Sequence, residues 1–110
     1  MANTFTRKLQ QNVGTSPSKI GNYTVASATS TVVIGLTVTN TTGSAIEANV
    51  FVNNGVANTY VVANSPISSG ASLVVVGGDQ KIVLITGDSI YVQSTAATSI
   101  DAVMSIMEIT

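Results

Sequence analysis

The sequence predicts an all-β protein, an antiparallel β-sandwich of jelly-roll or immunoglobulin-like type with about eight strands and an extended N-terminal arm. Three observations carry that expectation. Val, Ile and Thr dominate the apolar stretches, and their branched side chains favour strands over helices. Nine Gly are spread between residues 14 and 87, and each would weaken a helix running through it. Turn signals recur about every 8–12 residues along most of the chain.

Taken in order, residues 1–20 show neither a two-residue nor a helical period. Asn3, Thr4, Thr6, Gln10, Gln11 and Asn12 are polar, and Gly14-Thr-Ser-Pro17-Ser closes the segment as a turn. It reads as an arm preceding a sandwich domain of residues 21–110. Tyr23-Thr-Val-Ala-Ser reads as a weak first strand. Thr31 to Asn40 alternates, with Val32, Ile34, Leu36 and Val38 expected on one face. Thr41-Thr-Gly43-Ser turns the chain, and Ile46, Ala48, Val50 and Val52 mark the core face of the next strand.

Asn53-Asn-Gly55 is a further turn signal before the strand Asn58-Thr-Tyr60-Val-Val-Ala. Ser65-Pro66 and Ser68-Ser-Gly70 enclose a bend, and Ser72-Leu-Val-Val-Val76 follows. Gly77-Gly-Asp79-Gln is expected to turn the chain as a hairpin into Lys81-Ile-Val-Leu-Ile85. Gly87-Asp88 is a second expected hairpin turn, leading to Ser89-Ile90-Tyr-Val92-Gln. Gly87 supplies a positive φ without a Cβ clash, and the Asp88 carboxylate can return to turn amides. Thr95 to Ser99 is a small-residue loop before the last strand, Ile100 to Ile109.

That last strand is apolar on both sides. Ala102, Met104 and Ile106 face one way, and Val103, Met107 and Ile109 the other. Leu73–Val76 and Ile82–Ile85 are also apolar on both faces. A two-layer sandwich has one inner face per sheet, so its outer residues should be polar. Either the arm or a second subunit covers the outer face, and the second subunit is the preferred reading. Phe51 and Tyr91 point outward by alternation and join Val103, Met107 and Ile109 as interface candidates.

The low charge fits equally a life inside an assembly and a β-rich chain with ordinary Thr usage. Charged residues make up 8% of the 110 residues, well below the roughly 25% of soluble domains. Such a surface has little to keep its copies apart. Arg7, Lys8 and Lys19 stand in a segment without acids, whereas the remainder sets Lys81 against five acids. Three cations are too few for nucleic-acid binding at physiological salt, so Arg7 and Lys8 read as contacts to an acidic protein neighbour. No apolar run approaches the roughly 18 residues of a membrane span, and the N-terminus has no signal-peptide core. Synthesis in a cytosol is the expectation.

Chemistry is sparse. His and Cys are absent, which removes the commonest general base, the thiolate nucleophile and the usual soft metal ligands. Asp79 and Asp88 would form a carboxylate pair only if their turns share one end of the sandwich. A nucleophilic hydroxyl would need Lys19 or Lys81 as its base. Neither a metal nor a cofactor is expected, and the chain reads as a non-enzyme. A carbohydrate-binding module, stacking sugars on outward aromatics, is the competing class.

The run Pro66-Ile-Ser-Ser-Gly70-Ala-Ser, then Lys81-Ile-Val-Leu84, Gly87-Asp88-Ser-Ile90-Tyr-Val92 and the terminal Met104-Ser-Ile-Met-Glu108-Ile-Thr carry a likeness. Over residues 31–110 the chain resembles small β-sandwich virion proteins of tailed bacteriophages. The resemblance implies capsid decoration or cementing, or a neck, tail or baseplate adaptor. It implies partners in other copies of the chain and in major capsid or neck and tail proteins, and a location in the virion. It supplies no catalytic residues.

Overall fold

A computed structural model describes residues 2–110 as two antiparallel sheets packed face to face, with no α-helix. The strands are β1 (Asn3–Val13), β2 (Ser18–Lys19), β3 (Ser30–Asn40), β4 (Ile46–Asn53), β5 (Asn58–Ile67), β6 (Ser72–Val76), β7 (Ile82–Leu84), β8 (Ser89–Ser94) and β9 (Ile100–Ile109). The first sheet runs β1-β9-β3-β6, with β7 also on β3, and the second runs β2-β8-β4-β5. The all-β sandwich expected from the sequence is therefore the fold, with nine strands among the described residues.

The core lies between the sheets. Val33, Leu36 and Val38 of β3 and Ala102, Met104 and Ile106 of β9 meet Ala48 and Val50 of β4 and Ile90 and Val92 of β8, all essentially free of solvent. Branched residues at every second position pack one face of each strand, as the pattern of β4, β8 and β9 indicated.

Four local expectations are corrected. The segment read as an arm folds back as β1, paired along β9 from Asn3↔Ile109 to Val13↔Ile100, and its Val13 is a core residue. Tyr23–Ser27 forms no strand, although Val25 exchanges backbone bonds with Gly87 and Asp88 at 2.9 and 3.0 Å. In β3 the register with β9 shifts between Val33 and Gly35, so Thr31 and Val33 point inward while Val32 and Ile34 point outward. One extra residue in a strand moves all that follows to the other face.

The fourth concerns both glycine turns. Gly77-Gly-Asp79 makes no hairpin, because β6 and β7 both pair with β3 and run in the same direction along its edge. Gly87-Asp88 likewise joins β7 of the first sheet to β8 of the second, so it is a corner between sheets. Gly87 has φ +92°, the Asp88 carboxylate accepts from the Ile85 amide at 3.0 Å, and the Asp88 amide donates to the Ile85 carbonyl at 3.0 Å.

Gly87→Val should lower unfolding free energy by about 1–3 kcal/mol, because a β-branched residue is strained at positive φ. Asp88→Asn should change it by less than about 1 kcal/mol, since an amide oxygen still accepts the turn bond. Denaturant melts of the two variants check the pair.

Candidate interaction surfaces

Two outer faces carry the side chains that the core does not use. On the first sheet, Phe5, Met107, Val32 and Val83 form one cross-strand row on β1, β9, β3 and β7. Leu9, Val103, Thr37 and Val74 form a second row on β1, β9, β3 and β6. Between them runs Arg7–Ser105–Gly35, whose small members leave a shallow groove lined by Phe5, Arg7, Ile34 and Ser105. Phe5 is 71% exposed, Val74 and Val83 64% each, and Val103 48%. Exposed large apolar side chains thus stand together across four strands, the kind of contiguous patch, on the order of several hundred Å², that marks an interaction site.

This face holds Val103, Met107 and Ile109, the interface candidates of β9. Val103 is exposed, and Met107 and Ile109 are half-buried on the same side. Phe5, Leu9 and Val32 extend the face but escape the sequence reading. The first two belong to a strand without visible alternation, and Val32 lies before the β3 register shift.

Lys8 does not stand free. It points inward from β1, with its ammonium 5.1 Å from the Tyr23 ring centroid, a cation–π distance. Its stem passes Gly21 so closely that a Cβ built there would lie 2.7 Å from Lys8 Cβ, and Gly21 also has φ +60°. Gln10 Oε1 accepts from the Gly21 amide at 3.1 Å, fixing β1 against this turn. Arg7, by contrast, is exposed on the outer face.

Behind Lys8, the Tyr23 hydroxyl donates to Glu108 Oε2 at 2.7 Å and lies 2.6 Å from the buried Thr31 hydroxyl. Burial, with help from the Glu108 carboxylate and against the Thr31 bond, pushes the Tyr23 phenol up to about 12. The unfolded phenol ionises near pH 10, whereas the folded one holds its proton to about 12. The stability this group contributes is therefore complete below pH 10 and lost as pH rises to 12. Thermal melts across that window should fall more steeply for the parent than for Tyr23→Phe.

The outer face of the second sheet carries Lys19–Tyr91–Phe51–Tyr60 across β2, β8, β4 and β5. Phe51 and Tyr91 stack with centroids 5.5 Å apart and planes at 5°, and Tyr60 tilts onto Phe51 at 5.1 Å. Phe51 is only 3% exposed, so its own tyrosines already cover it and it is no free anchor. Tyr91 is half-buried, and Tyr60 is the exposed member.

The polar candidates do not converge on a catalytic arrangement. The Asp88 carboxylate is engaged within its own turn, whereas exposed Asp79 lies between β6 and β7 along the sheet edge. Lys19 donates to the exposed Thr24 hydroxyl at 2.9 Å, and Lys81 donates to the Gly78 carbonyl. Among the described residues no group of three His, Cys, Asp or Glu is placed to hold a metal ion, and no helix is long and apolar enough to cross a membrane.

The chain matches no protein-family model and no curated protein. Among solved structures it is similar to a subunit of Bacillus endospore appendages, described as a family of disulfide-linked pili, at TM-score 0.58 and 15% identity. That match covers 98% of this chain and 88% of the other. The likeness is one of fold; this chain has no cysteine with which to form such links. A pentameric capsid protein from metagenomic phage sequences aligns at TM-score 0.43 and 21% identity, over 94% of this chain and 59% of that one. The nucleoplasmin-like domain of Drosophila FKBP39 aligns at TM-score 0.45 and 12% identity, over 94% and 87% of the two chains.

Proposed function

We propose that this chain is a non-enzymatic structural protein of a bacteriophage particle. It binds neighbouring virion subunits, most directly to decorate or cement the capsid, with a neck, tail or baseplate adaptor as the alternative. The observation behind this reading is the two-row apolar outer face of the first sheet. Large apolar side chains gathered on one exposed face are what a docking surface offers a partner. Phe5, Leu9, Val103 and Met107, with Ile109 at the end of β9, supply the apolar contacts. Arg7, beside the groove, offers a cation to an acidic neighbour.

Many copies laid on one shell would add weak contacts into firm attachment, because each further contact becomes intramolecular. The low charge of the chain suits such close packing. The test is to identify the chain by mass spectrometry in purified particles and to map its density by electron microscopy. Density on the capsid supports decoration, density at the neck or tail supports the alternative, and absence from particles defeats both.

A second reading has one observation in its favour. Exposed Tyr60 and half-buried Tyr91 lie on a face that also carries Asn49 and Gln93, whose amides approach at 3.5 Å, and the Asn53–Asn58 amide pair at 2.6 Å. Aromatic rings beside amides suit a glycan, for attachment to a carbohydrate surface. Binding to host polysaccharides that Tyr60→Ala removes would support it; no retention of the parent protein would dismiss it.

A further inference from the structure

The edges of the two sheets carry information that the faces do not. β1 ends the first sheet and β5 ends the second, each with a strand on one side only. They lie on opposite flanks of the sandwich, because β1 packs beside β2 while β5 packs beside β6. Their lengths match, at 11 and 10 residues. Long unpaired edges are templates for another strand, and proteins that remain monomeric usually shorten, charge or cover them.

The direction of the free backbone groups follows from the ladder. Ala2 and Thr110 exchange both backbone bonds, at 3.3 and 3.0 Å, and the β1–β9 register continues from that pair. Antiparallel pairs alternate between bonded and non-bonded. The amides of Thr4, Thr6, Lys8 and Gln10 thus face β9, and those of Asn3, Phe5, Arg7 and Leu9 face the open edge. On the other flank Asn54 donates to the Ala57 carbonyl at 3.3 Å. The same alternation directs the amides of Asn58 and Tyr60 away from β4.

We propose that β1 of one copy adds to β5 of the next, joining the first sheet of one subunit to the second sheet of its neighbour. This interaction deepens the structural-subunit reading and rests on it. Charge selects this pairing over β1 on β1. Two β1 strands paired about their middle would bring the exposed Arg7 of each copy together, and like charges across strands repel. β5 carries no charged residue from Asn58 to Ile67, and exposed Glu47 lies beside it opposite Pro66. Adding β1 to β5 avoids that repulsion.

The faces agree with the edges. Run parallel to each other, as they do within one subunit, β1 and a neighbour's β5 continue the sheet so that the outer face of the first sheet lies on the side of the neighbour's core. Phe5 and Leu9 then approach the flank where half-buried Val62 of β5 and Leu73 of β6 border the core. Because the two edges differ, the contact is head-to-tail, and repeating it gives a ring if the rotation closes or a filament if it does not.

Light scattering and native mass spectrometry of the full chain, across a concentration series, test the proposal. The parent should form species of more than two 11.2 kDa chains. Arg7→Pro removes an edge-facing donor but no bond to β9, a position where an edge strand tolerates proline. It should remain monomeric with a melt close to the parent's, while Arg7→Gln, which keeps the amide, should still assemble. Should proline lower the melt, amide exchange of the parent decides, with protection of Phe5, Arg7, Leu9, Asn58 and Tyr60 expected only on assembly. A parent that is monomeric or dimeric throughout, an Arg7→Pro protein that assembles normally, or unprotected edge amides in the assembly would each overturn the proposal. Assembly in solution by a protein absent from particles would defeat the virion reading alone.

Discussion

Val103→Asp is expected to remove docking of the outer sheet face while leaving the isolated fold close to its parent stability. Val103 is 48% exposed and stands between Leu9 and Thr37 in the second apolar row. In the free chain a carboxylate there stays hydrated, so the cost is mostly lost strand preference, up to about 1 kcal/mol. Against a neighbouring subunit the same carboxylate is buried without a partner. An unpaired buried charge costs about 2–5 kcal/mol, a thirtyfold to several-thousandfold weaker contact. Incorporation into particles should fall accordingly, while Val103→Leu should keep it. A Val103→Asp chain recovered in particles at the parent level would show that this face is not the docking surface.

What could be read from the sequence divides along physical lines. Alternation works where one face is packed and the other is not, which is why β4, β8 and the inner face of β9 were legible. It fails for β1, whose inner face carries Lys8 and Gln10. Their stems lie against Tyr23 and Gly21, so the inward side is polar while the apolar Phe5 and Leu9 point outward, and no core-facing period shows. A truncation of residues 1–16 therefore removes a paired strand and core residue Val13, and the remaining body should not keep its melt.

The turns were legible as turns and misleading as connections. Gly87 and Asp88 form the local geometry that their residue types dictate, but a four-residue turn is the same whether its strands pair or part. Only the inward direction of both Leu84 and Ile90, one in each sheet, decides that the chain crosses between layers. The register shift near Gly35 was equally hidden, since Val32, Ile34, Leu36 and Val38 alternate perfectly in one dimension. For the surfaces, the double-sided apolar pattern of β9 located the first face. The mutual covering of Phe51 by Tyr60 and Tyr91 depends on a cross-strand register that no single strand reveals.

The two methionines of β9 offer the sharpest contrast between fold and assembly. Met104 is 0% exposed, pairs with Leu36 and Lys8 across the ladder, and fills the space between the sheets. Met104→Ala leaves a cavity that a close-packed core closes only in part, so unfolding free energy should fall by about 2–5 kcal/mol. Domains have only about 5–15 kcal/mol in total, so that loss is large. Met107 lies three residues on, half-buried on the outer face between Phe5 and Val32. In the isolated chain Met107→Ala should cost about 1 kcal/mol or less, because its surroundings are already wet. Once a neighbour covers the face, the same truncation opens a gap in a dry interface, and subunit release from particles should quicken at least tenfold, about 1.4 kcal/mol. Denaturant melts of the free protein and release rates from particles separate the two. Equal melts for Met104→Ala and Met107→Ala would contradict the assignment of inner and outer faces, and parental release of Met107→Ala would contradict the outer face as an interface.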